Sequence, residues 1–71
     1  MEKAIKDLIE IYKQKIEECR ISIAQEESER SEWRRNTTQR TIIEKRLSWL
    51  EARLEAYVIA RVDFESLLDY L

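Results

Sequence analysis

Neither glycine nor proline occurs anywhere in this chain. That absence constrains its folding more than any other feature. Without glycine there is no low-cost residue for a tight turn at positive φ, and without proline there is no built-in helix breaker. Apolar residues then recur at alternating spacings of four and three. Ile5, Ile9, Tyr12, Ile16, Cys19 and Ile23 form one such track, the signature of a helical seam. The track continues through Glu26 and Arg30 to Trp33, so its second half is charged where a seam is usually apolar. A second track runs Ile43, Leu47, Leu50, Leu54, Tyr57, Arg61, Phe64, Leu68, Leu71. No stretch alternates with the period of two that a half-buried strand requires. The predicted fold class is all-α.

The two tracks are out of phase. From Trp33 to Ile43 is ten residues, whereas an unbroken seam would need seven, eleven or fourteen. Either one long helix overwinds locally or the chain breaks, and the residues between favour a break. Asn36 tolerates the left-handed conformation that ends helices. Asn36-x-x-Gln39 and Thr41-x-x-Glu44 both fit a capping box at the start of a new helix, and Arg34 and Arg35 would complement the dipole in the last turn of the first. The expectation is a single antiparallel helical hairpin over residues 1–71. It comprises a helix over about 2–35, a turn over about 36–38 and a helix over about 39–70. One continuous helix would instead be a rod about 100 Å long.

A chain of 71 residues is short for a self-sufficient core. Below roughly 70–80 residues a single core rarely supplies more than about 3–5 kcal/mol. Cys19 is the only cysteine and there is no histidine, which removes internal disulfides and leaves little for a structural metal site. Self-association is the remaining source of stability. The helical wheel points the same way. Helix 1 gathers its apolar residues in about a third of the circle, whereas helix 2 carries further apolar residues on both flanks of its seam. Ile42, Trp49, Ala56, Ala60 and Leu67 lie on one flank, with Leu71 in the apolar tail, and Val58 and Val62 lie on the other. The first set is the expected oligomer interface, with Ala56 and Ala60 permitting close helix approach. Ile5, Ile9, Tyr12, Ile16, Cys19, Ile23, Leu47, Leu50, Leu54, Tyr57, Phe64 and Leu68 are the expected core of the hairpin. A homodimer forming an antiparallel four-helix bundle is the simplest assembly that satisfies both sets.

Charge is distributed unevenly. Residues 1–33 carry six basic and nine acidic side chains, residues 34–46 five and one, and residues 47–71 two and five. The segments therefore have net charges of −3, +4 and −3. The basic middle, with Trp33, Arg34, Arg35 and Arg40, is the one constellation resembling a binding tip, with cations for phosphates and an indole for stacking. The competing structural reading is that folding back brings Glu26, Glu27, Glu29 and Glu32 alongside Arg40, Lys45 and Arg46. Glu26 and Arg30 would then meet Arg46 and Glu44, and Arg61 would find Asp7 or Glu10 or extend its head to solvent. That reading is preferred.

No catalytic, cofactor or metal residues are expected. Cys19 occupies a seam position with no histidine to activate it, and a phosphate loop requires glycine. No run approaches the roughly 18 apolar residues of a membrane span. The first residues mix acids among lysines, unlike a signal peptide, so a cytoplasmic location is the default. A mid-chain tryptophan in a two-helix chain is superficially similar to the secreted WXG-type hairpins, but Trp33 is followed by Arg34 and Arg35 and the chain has no glycine. In outline the expected hairpin is similar to small dimeric hairpins that bind RNA loops, a likeness of architecture that transmits no function. The expected role is that of a small, non-enzymatic, homo-oligomeric interaction module: a regulator, inhibitor or adaptor acting on another protein through helix 2 or the turn. The alternatives are a nucleic-acid-binding hairpin and a structural coiled-coil component of a larger assembly, phage particles included. No small molecule is expected as a ligand.

Overall fold

The computed structural model describes residues 1–33 and 35–71; Arg34 lies outside the described residues. Two helices, α1 (Glu2–Glu32) and α2 (Thr37–Asp69), pack against each other as a hairpin, with no strand among the described residues. The break falls in the interval where the two apolar tracks lose phase.

The turn falls earlier than the sequence predicts, between Glu32 and Thr37 rather than over 36–38, and is built differently. α1 stops at Glu32, so Arg35 lies beyond its last turn, which carries Arg30 as its cation. The Trp33 N–H donates to the Glu29 carbonyl at 3.0 Å, and the Asn36 N–H to the Trp33 carbonyl at 2.9 Å. Asn36 has φ −101° and ψ 98°, an extended residue, and no described residue has positive φ. Asn36 therefore does not end α1 in a left-handed conformation. It starts α2, its side-chain oxygen accepting from the Gln39 N–H at 3.1 Å, and α2 begins at Thr37, two residues before the expected start. One of the exposed donors of the first turn is satisfied in this way. Thr41, the other possible start, lies inside α2 with its hydroxyl donating to the Thr37 carbonyl at 2.8 Å.

Ile5, Ile9, Ile16, Cys19, Ile43 and Leu47 are buried, Ile43 most completely. Tyr12, Ile23, Leu50, Leu54, Tyr57, Phe64 and Leu68 are only half-buried. The difference is geometric: each helix has one neighbour, so a large side chain on the seam covers one flank and leaves the other in water. Midway along the interface the Cys19 thiol donates to the Leu50 carbonyl at 3.2 Å. Toward the open end Tyr12 lies against Tyr57 edge-on, with ring centres 5.9 Å apart, and against Phe64 at 5.5 Å. Such aromatic pairs add about 0.5–1.5 kcal/mol beyond the area they bury.

The hairpin measures 54 × 14 × 12 Å with a radius of gyration of 16.1 Å, against about 11 Å for a compact domain of this length. It exposes 5686 Å², where a compact monomer of the same mass would expose about 4,700 Å². No helix is long and apolar enough to cross a membrane among the described residues.

Candidate functional site

The most distinctive surface lies on one side of the hairpin. Residues immediately preceding the seam positions of α2 include Ile42, Trp49 and Leu67, which are 40%, 59% and 48% exposed. Ala56 on the same flank is exposed and Ala60 is half-buried. Leu71 is exposed at the end of the chain. An open groove of about 360 Å³ runs along this side, with Lys15, Glu18 and Ser22 of α1 facing Trp49, Arg53 and Tyr57 of α2 across a floor of Cys19 and Leu50. The corresponding flank of α1 adds Leu8 and Ile11, both partly exposed. Of the expected interface residues, Trp49 lines this groove, while Ile42 and Leu67 are exposed toward the two ends of α2.

Arg53 organises the centre of that face. Its guanidinium lies 4.5 Å from the centre of the Trp49 ring and 5.9 Å from that of Tyr57, and the Lys15 ammonium lies 5.7 Å from Tyr57. Cations in this range are held by the ring quadrupole, at about 0.5–1 kcal/mol on an exposed surface. The sequence reading overlooked Arg53, although its spacing of four from Trp49 is the helical distance at which side chains meet. Leu8 and Ile11 were also overlooked, because α1 appeared one-sided on its wheel.

Of the expected tip residues Trp33, Arg34, Arg35 and Arg40, Arg34 lies outside the described residues. Trp33 is 46% exposed and Arg35 is exposed, but Arg40 turns back along its own helix to Glu44, with a separation of 3.3 Å. Glu44 is thereby taken, and the expected pairing with Arg30 does not form. Only Glu26, of the four glutamates expected to cross the hairpin, makes an ion pair there among the described residues, with Arg46 at 3.7 Å. Arg61 pairs with Glu65 on its own helix at 2.8 Å rather than with Asp7 or Glu10. The other ion pairs, Lys6 with Glu2 and Lys13 with Glu10, are also local. Exposed pairs of this type contribute about 0.2–1 kcal/mol each.

Cys19 is buried, with its thiol directed at a backbone carbonyl. Among the described residues, no three histidine, cysteine, aspartate or glutamate side chains are grouped to hold a metal ion. Comparison with protein-family models, with curated proteins and with solved structures finds no match to this chain.

Proposed function

We propose that this protein is a non-enzymatic, self-associating helical hairpin whose work is protein–protein interaction, as a regulator, inhibitor or adaptor. The observation that carries the proposal is the exposed apolar face of α2. Ile42, Trp49 and Leu67 are each at least two-fifths exposed and lie along one flank of a hairpin only 54 Å long. Large apolar side chains left exposed along one flank, here interleaved with Arg46, Arg53 and Asp63, support an association surface. A face 54 Å by 14 Å has a projected area of ~750 Å², close to the roughly 800 Å² per partner of a specific interface. Two hairpins stacked through these faces form a four-helix bundle. Its ends would present Trp33 and the turn to a further protein.

The nucleic-acid alternative draws less support. Arg40 and Arg46 are held by Glu44 and Glu26, and the chain carries a net charge of −2.

Sedimentation equilibrium tests the reading directly. The expected mass is twice the chain mass of 8.6 kDa at micromolar concentration, and Trp49→Glu should shift it toward the monomer. A native chain that is monomeric and melts cooperatively at that concentration would sink the proposal.

A further inference from the structure

Resting on the self-association proposed above, we infer that the second copy lies antiparallel across the groove, α2 on α2 and α1 on α1, in a register set by two charged rungs. The charges and sizes along the face are self-complementary in this arrangement. Along the exposed flank of α2, an antiparallel heptad register aligning the helix ends sets Ile42 against Leu67 of the second copy. The same register sets Arg46, which also reaches Glu26 of its own chain at 3.7 Å, against its Asp63, and Trp49 against its Ala60. Apolar meets apolar, base meets acid, and the largest side chain meets one of the smallest. The two-fold axis then passes between Arg53 and Ala56.

On α1, Lys15 and Glu18 line the groove with Arg53 and Tyr57, and the proposed axis passes between Lys15 and Glu18, the opposite-charge rung nearest the α2 midpoint. Each Lys15 therefore faces Glu18 of the other copy. Neither Lys15, Glu18 nor Asp63 has an ion-pair partner within the chain among the described residues. Stacking the hairpins the other way, α1 on α2, would set Glu18 against Arg53 but also Leu8 against Asp63 and Glu29 against Ile42, burying two carboxylates against apolar side chains. Opposite charges across an interface select register and orientation more strongly than they add affinity.

A charge exchange tests the arrangement. Lys15→Glu alone and Glu18→Lys alone each place like charges across both central rungs. Each variant is expected to self-associate at least tenfold more weakly than the native chain, with its helical circular dichroism retained. An equimolar mixture of the two should recover the native dimer mass, since every rung is again an opposite pair. The double variant, with both changes in one chain, should dimerise as the native chain does. A native dimer whose single variants are not rescued by mixing overturns the antiparallel register while leaving self-association intact. A native monomer overturns the underlying reading instead. As an independent measurement, Ile42→Cys combined with Leu67→Cys should yield a covalent dimer under mild oxidation. If Trp49→Cys with Leu67→Cys crosslinks in its place, the register is wrong by one heptad.

Discussion

The Glu26 carboxylate and the Arg46 guanidinium meet across the hairpin at 3.7 Å, the one ion pair among the described residues that joins α1 to α2. The glutamate side chain is mostly buried, while the arginine remains largely in water. One carboxylate oxygen of Glu26 is buried without a hydrogen-bond partner. A pair in this setting holds register more than it stabilises, because desolvation of the carboxylate offsets most of the Coulomb gain.

Replacing Glu26 with leucine is therefore expected to leave the melting temperature unchanged or raise it. Arg46→Leu, which strands the carboxylate, should lower stability by about 1–3 kcal/mol. Thermal denaturation of the two variants side by side checks the ordering, and the reverse order would show that the pair is strongly stabilising.

Asn36 acts as an N-cap in an extended conformation. Asn36→Ala should cost about 1 kcal/mol, whereas Asn36→Asp should be close to neutral and Asn36→Gly should cost a few tenths. Chemical denaturation distinguishes this from a left-handed helix terminator, for which glycine would be the stabilising substitution.

The buried Cys19 thiol should react with an aromatic disulfide reagent only as fast as the hairpin opens. Its rate should rise with denaturant in step with loss of helicity. Cys19→Leu overfills the space opposite the Leu50 backbone and should cost about 1–3 kcal/mol. Fast labelling of the native protein would contradict the burial.

Trp49→Ala removes a large anchor from the centre of the exposed face and frees Arg53 from its ring. Interface anchors of this kind cost about 2 kcal/mol or more when truncated, so dimer dissociation should rise at least thirtyfold while the hairpin survives. Val62→Ala, on the opposite flank, should leave the dissociation constant within twofold. Sedimentation of both variants makes the comparison.

Much of this architecture was legible in the residues themselves. The phase slip between Trp33 and Ile43 located the break, Asn36-x-x-Gln39 was one of two possible caps and is the one used, and the charge at Glu26 found its partner in Arg46. The exact stop of α1 was not legible. Trp33 and Asn36 close the turn through their own backbone groups, and no residue type in the segment demands that arrangement. Ion-pair partners were also misread where a local acid competed. Glu65 lies four residues from Arg61 on the same helix, whereas Asp7 and Glu10 require the tertiary fold to deliver them. Half-burial of the aromatic seam residues follows from each helix having one neighbour within the hairpin, a number that a heptad pattern does not encode.

The antiparallel course of α1 and α2 also has a mechanical consequence. Residues 1 and 71 lie at the same end of the hairpin, so tension applied between them acts as a zipper. It loads the layers around Ile5 and Leu68 first and each deeper layer in turn, and reaches Ile43 and the turn last. Separation then proceeds at low, nearly steady force, in contrast to the high peak that shearing whole helices past each other would require.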